Sequence, residues 1–242
     1  MSQNKTVFIT GANKGIGYET AQQLGRQGYT ILVGARDESR GQEAVENLLT
    51  QGITAHFIQL DVTDTATIES ASKYIEQQFG SLDVLINNAG VSIDAMSPPS
   101  QYKVANMRLV YDTNVFGVVE LTQQMLPLLQ KSSAPRIVNV SSGLGSLTQN
   151  SDPNYEYAAF NGLAYASSKA SLNAVTVMFA KEFKDTTLKV NAADPGYTAT
   201  DFNDNTGPRS VEQAATIIVE LATLDEKGPT GQFFDENGVV PW

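Results

Sequence analysis

Tyr165 and Lys169 are four residues apart and could together carry out proton-transfer chemistry. Positions four apart share one face of a helix, so the phenol and the ammonium could lie side by side. A neighbouring positive charge lowers the pKa of a phenol, which is about 10 in an isolated tyrosine. A tyrosine tuned in this way can act as a general acid or base. The same spacing also arises by chance on surface helices, so the interpretation depends on the rest of the chain.

The composition limits the chemistry that is open to this chain of 242 residues. It has no cysteine and one histidine, His56, which excludes disulfides, thiolate nucleophiles and Cys-based or multi-His metal sites. We therefore predict no metal. The net charge of −10 argues against a broad nucleic-acid surface. The residues Met1–Lys5 show no signal-peptide pattern and the apolar runs are too short to span a bilayer, so we expect a cytoplasmic protein that does not bind membranes.

Apolar strand-like segments alternate with helix-like segments along almost the whole chain. The predicted strands are Thr6–Thr10, Tyr29–Ala35, Thr54–Leu60, Leu82–Asn87, Arg136–Val140, Leu188–Ala193 and Gly231–Phe234. The predicted helices are Gly15–Gln27, Glu38–Gln51, Ala66–Phe79, Arg108–Gln130 (bent or ended by Pro127), Leu163–Phe183 and Val211–Thr223.

This alternation predicts a single α/β domain over residues 1–242. Strands that are nearly all apolar are covered on both faces, and alternation with helices implies parallel strands joined by right-handed crossovers. We predict a doubly wound Rossmann domain with about seven parallel strands and helices on both faces. Its dinucleotide-binding half covers about residues 1–90 and its catalytic half about 91–242. Ligands bind such sheets at the carboxyl ends of the strands, so the residues after each strand carry the functional information.

A glycine-rich turn follows the first predicted strand, with the spacing Gly-x-x-x-Gly-x-Gly at Gly11, Gly15 and Gly17. Glycines let the backbone approach a ligand closely, and the helix N-terminus behind them favours a pyrophosphate. A plain strand–helix turn is the alternative, but the position after an N-terminal strand favours a dinucleotide. The intervening residues Asn13, Lys14 and Ile16 are therefore predicted to bind the cofactor as well.

The end of the second predicted strand bears on the choice between NAD(H) and NADP(H). A dehydrogenase that selects NAD usually has an acidic residue there to bind the ribose 2′-hydroxyl. In this chain Ala35 holds that place and Arg36 follows it. With Lys14 in the glycine loop, two cations suit a 2′-phosphate, although Asp37 lies one residue later. We predict that NADP(H) is preferred over NAD(H).

The third and fourth predicted strands end in further candidate cofactor contacts. Asp61 could accept a hydrogen bond from adenine while Val62 packs on the ring; the alternative, that Asp61 caps the next helix, suits Asp64 better. The run from Asn87 to Gly90 could let the cofactor pass or could brace the sheet. The residues predicted to contact the cofactor in this run are Asn88, Ala89 and Gly90.

Hydroxyl groups follow the fifth and sixth predicted strands. Ser141 and Ser142 stand where a hydroxyl could donate to a substrate carbonyl. The loop over residues 194–200 could present backbone and hydroxyl groups to a nicotinamide amide, although a generic Pro-Gly turn would look the same. Its candidate cofactor-binding residues are Pro195, Gly196, Thr198 and Thr200.

Together these motifs resemble those of the short-chain dehydrogenase/reductase family over almost the whole chain. The resemblance rests on Thr10-Gly-x-x-x-Gly-x-Gly17, Asn87-Asn-Ala-Gly90, Asn114 in a Thr-Asn-Val-Phe-Gly run, Ser142, Tyr165-x-x-x-Lys169 and Pro195-Gly196. It implies a nicotinamide cofactor that gives a hydride to a carbonyl carbon, and a catalytic tetrad of Asn114, Ser142, Tyr165 and Lys169.

The resemblance also implies a role for each member of the tetrad. Ser142, chosen over Ser141 by counting along the strand, would bind the carbonyl oxygen, and Tyr165 would protonate it. Lys169 would lower the pKa of Tyr165 and bind the nicotinamide ribose, so that both residues also contact the cofactor. Asn114 would hold a water molecule that connects Lys169 to solvent.

Ser142 and Tyr165 are farther apart than in the simpler members of the family, which implies an insertion within residues 146–162. An insertion at this place resembles the carbonyl-reductase branch, and it could line the substrate pocket or obstruct dimerisation. We therefore expect NADPH-dependent reduction of a small ketone or aldehyde, by a monomer, dimer or tetramer. The alternatives are an NADP-dependent alcohol dehydrogenase, a 3-oxoacyl-thioester reductase and a non-catalytic NADP(H)-binding sensor.

Overall fold

The computed structural model describes residues 5–93 and 97–242, and in this part of the chain eight strands form one sheet in the order β3-β2-β1-β4-β5-β6-β7-β8. Their bounds are β1 Thr6–Thr10, β2 Thr30–Ala35, β3 Ala55–Gln59, β4 Val84–Asn87, β5 Arg136–Val140, β6 Lys189–Ala193, β7 Phe233–Asp235 and β8 Gly238–Val239. Strands β1 to β7 are parallel. The prediction of a doubly wound α/β domain is confirmed.

The eighth strand was not predicted. It runs antiparallel to β7, with Phe234 opposite Val239 and Asp235 opposite Gly238. Two residues are too few to show a strand period, so this hairpin leaves no pattern in the sequence.

The described ranges contain eight α-helices, most of which cover the two faces of the sheet. They are α1 Gly15–Arg26, α2 Glu38–Thr50, α3 Thr65–Phe79, α4 Val104–Tyr111, α5 Gly117–Leu129, α6 Leu147–Asn150, α7 Leu163–Glu182 and α8 Val211–Ala222. Leu24, Leu48 and Ile218 of α1, α2 and α8 are buried on one face. Ile75 of α3 and Leu121 of α5 are buried on the other, together with part of α7. This double cover explains why every residue of β1, β2, β4 and β5 is buried.

The prediction of one helix over Arg108–Gln130 was wrong. The helix begins earlier, at Val104, and a π-helical turn at Asp112–Phe116 separates α4 from α5. Pro127 does not end α5 at its own position, because the helix continues to Leu129.

Candidate functional site

The carboxyl ends of the strands open into one cleft with a volume of about 1110 Å³. The cleft collects almost every residue that the sequence nominated, from both predicted halves of the chain. The nominated residues that line it are Gly11, Asn13, Lys14, Gly15, Ile16, Gly17, Arg36, Asp61, Val62, Asn88, Ala89, Gly90, Ser142, Tyr165, Lys169, Pro195, Gly196, Thr198 and Thr200. Asn114 is the one nominated residue that does not line the cleft; it is buried.

The glycine loop between β1 and α1 has a shape that requires its glycines. Gly11 and Gly15 have φ angles of +65° and +58°, in the left-handed region that side chains disfavour. A Cβ on Gly17 would stand 2.5 Å from Asn88 Nδ2 and 2.7 Å from the carbonyl oxygen of Gly11. α1 begins at Gly15, and its N-cap residue Lys14 makes no side-chain capping bond. The first amides of α1 therefore face a cleft shaped for a pyrophosphate, so these residues fit a dinucleotide.

The two adjacent asparagines at the end of β4 make different hydrogen bonds. Asn87 Nδ2 donates to Asn139 Oδ1 at 2.8 Å and so braces β4 against β5. Asn88 Nδ2 donates to the carbonyl oxygen of Thr10 at 2.8 Å, and Thr10 Oγ1 accepts from the amides of Asn88 and Ala89 at 3.0 and 2.8 Å. These bonds fix the glycine loop to the end of β4. Bracing and cleft lining were both considered for this run. Asn87 braces the sheet, whereas Asn88 lines the cleft and also braces the glycine loop.

Two cationic side chains, one directly after β2 and one in the glycine loop, lie at the cleft. Arg36 is exposed at its rim, and Lys14 faces the same region while its Nζ pairs with Asp201 at 3.0 Å. Asp37 turns toward its own helix, where its Oδ1 accepts from the amide of Arg40 at 2.9 Å. Asp37 is the acidic residue that complicated the prediction of NADP(H). Its carboxylate is engaged in capping its own helix.

The carboxylate after β3 is held by its own turn. Asp61 Oδ1 accepts from the amide of Thr63 at 2.9 Å and from its hydroxyl at 2.7 Å. Asp64, as expected, caps α3 through the amide of Ala66 at 2.9 Å. Asp61 and Val62 remain at the cleft wall, where the adenine contact was predicted.

Ser141 and Ser142 point to opposite sides of the end of β5. Ser141 is buried and its Oγ donates to Asn173 Oδ1 at 2.6 Å. The Ser142 side chain faces the cleft and is hydrogen-bonded to the Tyr165 hydroxyl. The choice of Ser142 over Ser141 therefore agrees with the geometry.

Lys169 lies one helical turn after Tyr165 on α7 and is only 4% exposed. Its Nζ donates to the carbonyl oxygen of Val140 at 2.8 Å and stands 5.6 Å from the centroid of the Tyr165 ring. Burial lowers the pKa of Lys169 to about 8, although the charge of Asp194 opposes that shift.

The pKa of Tyr165 differs from the prediction. It is raised above its ordinary value, because burial disfavours the phenolate and the charge of Asp194 adds to that effect, while the hydrogen bond from Ser142 opposes it. Lys169, whose Nζ stands 5.6 Å from the centroid of the ring, does not reverse the shift. Tyr165 is therefore held protonated, which is the state of a proton donor.

Asn114 lies on the π-helical turn and is buried. Its Oδ1 accepts from the amide of Val91 at 2.9 Å, and its Nδ2 donates to the carbonyl oxygen of Val91 and to Ser168 Oγ, both at 3.0 Å. The side chain thus joins the segment after β4 to α7. A Cβ on Gly90 would lie 3.4 Å from Asn114 Oδ1 and 3.6 Å from Lys169 Nζ, which shows how closely the three residues meet.

The loop after β6 reaches across to the glycine loop. Gly196 has a φ angle of +72°, and the buried Thr198 donates to its carbonyl oxygen at 3.0 Å. Thr200 Cγ2 would lie 3.6 Å from a Cβ on Gly15. The loop predicted to meet the nicotinamide therefore closes the cleft at the pyrophosphate end as well.

Aromatic residues that were not predicted line one part of the cleft. Tyr155, Tyr157 and Phe160 come from the insertion, and Tyr197 and Phe202 come from the loop after β6. The ring centroid of Tyr157 lies 5.5 Å from that of Tyr155 and 6.1 Å from that of Tyr197. In the sequence, the three aromatic residues shortly before Tyr165 were the signal that could have predicted this aromatic lining. The insertion thus lines the pocket, one of the two roles left open for it.

The start of the insertion is hydrogen-bonded to residues 241 and 242. Ser146 Oγ donates to the carbonyl oxygen of Pro241 at 2.6 Å. The hydroxyl and the amide of Thr148 donate to the carbonyl oxygen of Trp242 at 2.6 and 3.0 Å. The Trp242 ring stacks on Phe233 of β7 with centroids 5.7 Å apart. These contacts tie the start of the substrate wall to the far edge of the sheet.

The comparisons with known proteins agree with this architecture. A family model described as short chain dehydrogenase matches residues 5–210. The chain belongs to the short-chain dehydrogenase family. Members of this family are oxidoreductases that use nicotinamide cofactors, and the predicted resemblance to carbonyl reductases is confirmed.

Three relatives illustrate the similarity of this short-chain dehydrogenase to others. The short-chain dehydrogenase anuI of Penicillium roqueforti is 39% identical over 97% of this chain and 95% of its own length. Carbonyl reductase (NADPH) 1 of Rattus norvegicus is 30% identical, with both chains covered in full. The crystal structure of NADPH-bound carbonyl reductase from chicken fatty liver superimposes with a TM-score of 0.86 and 27% identity, over 99% of this chain and 100% of that one.

Among the described residues, no helix has the length and apolar character that a bilayer-spanning segment needs. Residues Met1–Asn4, which entered the argument about a signal peptide, lie outside the described ranges.

Proposed function

We propose that this short-chain dehydrogenase reduces a ketone or aldehyde to an alcohol with NADPH. The observation that carries the proposal is the hydrogen bond between Ser142 and Tyr165, above Lys169, in the same cleft as the glycine loop. The similarity to carbonyl reductases supports the same reaction class.

The chain supplies the groups that such a reaction needs at the carbonyl oxygen. A bound reduced nicotinamide supplies the hydride that goes to the carbonyl carbon. Ser142 donates a hydrogen bond to the oxygen as it gains negative charge. Tyr165 then transfers its proton to that oxygen, which completes the alcohol. A phenol with an ordinary pKa of about 10 already carries this proton at neutral pH, and the raised pKa of Tyr165 leaves that state unchanged.

Lys169 and Asn114 support the proton donor. One N–H of Lys169 is taken by Val140, which leaves two to bind the nicotinamide ribose and to stabilise the tyrosinate left after proton transfer. Asn114 fixes the segment after β4 beside Lys169. Both N–H groups of the Asn114 side chain are already donated, so a water that relays a proton would bind at the remaining lone pair of Oδ1 or at the backbone carbonyl of this residue.

The remaining nominated residues would bind the cofactor. Gly11, Asn13, Gly15, Ile16 and Gly17 would hold the pyrophosphate against α1. Arg36 and Lys14 would bind the 2′-phosphate, with Lys14 giving up its exposed ion pair to Asp201. Adenine would lie against Asp61 and Val62, and the nicotinamide half would pass along Asn88–Gly90 to Pro195, Gly196, Thr198 and Thr200.

The test is NADPH oxidation followed across a panel of ketones, aldehydes, quinones and acyl thioesters. We expect turnover of ketones or aldehydes by the wild type. Tyr165→Phe should reduce kcat by about 10³-fold, since it removes the proton donor, while the Kd for NADPH measured by fluorescence titration stays near the wild-type value. Tyr74→Phe, on α3 outside the cleft, is the matched control. Unchanged turnover in Tyr165→Phe contradicts the mechanism, and turnover of acyl thioesters alone favours the thioester reductase.

A further inference from the structure

Asp194 places a carboxylate in the substrate part of the cleft, directly after β6. Its Oδ1 accepts from the amide of Gly196 at 2.9 Å, and the amide of Gly143 also donates to the carboxylate. A carboxylate has about four acceptor positions, so capacity remains for another donor. Of the ion pairs formed within residues 5–93 and 97–242, none involves Asp194. The charge therefore faces the cleft without a cationic side chain bonded to it.

Two further oxygen atoms converge with Asp194 above Gly143, the residue that follows Ser142. A Cβ on Gly143 would lie 2.8 Å from Asp194 Oδ2, 2.5 Å from the Tyr155 hydroxyl and 3.3 Å from Gln149 Oε1. Gln149 Oε1 is buried and has no hydrogen-bond partner in the described part of the protein. Two of the three atoms can only accept. The cluster is therefore short of donors, and it lies next to the residue that holds the carbonyl oxygen.

Aromatic rings flank this cluster. Tyr155 and Tyr157 meet edge to face at 5.5 Å, and Tyr157 meets Tyr197 at 6.1 Å. Faces of tyrosine rings attract cations when a ligand places a positive charge over them. Burial raises the pKa of Asp194, while the hydrogen bonds from the amides of Gly196 and Gly143 lower it; the charge of Asp235 adds to the rise and that of Arg209 opposes it.

We propose that Asp194 is a specificity-determining residue that selects carbonyl substrates bearing a protonated amine near the carbonyl group. The ammonium N–H would donate to Asp194, and Tyr155 and Tyr157 would flank the cation. This inference rests on the proposed carbonyl reduction and adds the class of substrate.

The test compares two ketones that differ in one atom. β-Dimethylaminopropiophenone carries the cation, and its carbon isostere has a CH group in place of the nitrogen. NADPH-dependent kcat/KM is measured for both at about pH 6.5, where an aliphatic amine is protonated. The wild type should prefer the amine. Asp194→Asn should lower the ratio of the two kcat/KM values by about tenfold, which corresponds to ~1.4 kcal/mol. Asp185→Asn, an exposed acid beyond α7, should leave the ratio unchanged.

A measurement on the wild type alone covers the case in which Asp194→Asn does not fold. Phenethyldimethylammonium should inhibit reduction of the neutral ketone competitively, with a Ki about tenfold below that of its carbon isostere. An unchanged ratio in a folded Asp194→Asn, a wild type that prefers or reduces only the neutral ketone, or equal Ki values would overturn the inference and leave carbonyl reduction intact. Failure to reduce any carbonyl in the wider panel would overturn the proposed function itself.

Discussion

The nucleotide side and the substrate side of the cleft are built in different ways. On the nucleotide side, the glycine loop is fixed by backbone shape and by hydrogen bonds such as Asn88 Nδ2 to Thr10, at the ends of fully buried strands. On the substrate side, the walls are aromatic side chains on loops, and Phe202 is 52% exposed. The first side leaves no room for a side-chain atom at Gly17, whereas the second is formed by side chains that lie outside the sheet.

The largest expected effect comes from adding one methyl group to the nucleotide side. In Gly17→Ala the new Cβ would meet Asn88 Nδ2 at 2.5 Å, which should destabilise the protein by about 3 kcal/mol and weaken NADPH binding. Urea unfolding and fluorescence titration measure the two effects. Gly52→Ala is the control, because its Cβ would meet nothing within 4 Å at a φ angle of +78°. It should cost some stability and leave the Kd for NADPH unchanged, and normal NADPH binding by Gly17→Ala would show that the loop is not rigid.

The next effect concerns Lys169, which lies where the two sides meet. Burial lowers its pKa from 10.5 to about 8, so in this window the unfolded chain binds more protons than the folded one. Stability should therefore rise with pH from 8 toward 10, by on the order of 2 kcal/mol relative to Lys169→Met. Urea unfolding of both proteins at intervals across that window measures the difference. Lys73→Met, at a side chain that is 70% exposed, should show no such trend. A difference between wild type and Lys169→Met that stays constant with pH would mean that Lys169 is not desolvated.

Cofactor preference tests the rim of the nucleotide side. Because Arg36 is exposed there, Arg36→Ala should remove one contact to a 2′-phosphate without disturbing the loop. We expect the Kd for NADPH to rise about tenfold, or ~1.4 kcal/mol, with little change for NADH. Titration with both cofactors gives the answer, and Arg26→Ala, at the other end of α1, serves as the control. Equal effects on NADPH and NADH would refute the assignment.

The smallest expected effect is on the substrate side. Tyr157→Ala removes a ring that contacts two other tyrosines but belongs to no strand or helix. The KM for an aromatic ketone should rise about fivefold, or ~1 kcal/mol, while the Kd for NADPH and the melting temperature change little. Tyr74→Ala, outside the cleft, controls for the loss of a surface tyrosine. A weaker affinity for NADPH in Tyr157→Ala would show that the two sides are not independent.

The same contrast explains which features could be predicted from the sequence. β1 and β5 begin and end where predicted, at Thr6–Thr10 and Arg136–Val140, because a parallel strand covered on both faces must be almost wholly apolar. The glycine loop follows from its spacing, since its shape depends on residue type. The nucleotide side is therefore largely encoded in local pattern.

The unpredicted features depend on contacts between distant residues. The π-helical turn at Asp112–Phe116 coincides with the bonds between Asn114 and Val91, which no helical period reveals. The raised pKa of Tyr165 depends on burial and on Asp194, which is 29 positions later. The local spacing of Tyr165 and Lys169 indicated the opposite shift. On the substrate side, the loop of Asp194 and the insertion with Tyr155 meet only in the folded chain.

The hydrogen bonds beneath the substrate wall have a consequence for the order of assembly. Ser146 and Thr148 bind partners 95 and 94 positions later in the chain. The hydrogen bonds that fix the glycine loop to the end of β4, by contrast, join residues within about the first 90 positions. A chain that leaves the ribosome N-terminus first has the parts of the nucleotide side available early, and it can anchor the substrate wall only after residue 242 has emerged. During synthesis, the nucleotide side can therefore form before the insertion that lines the substrate side is anchored.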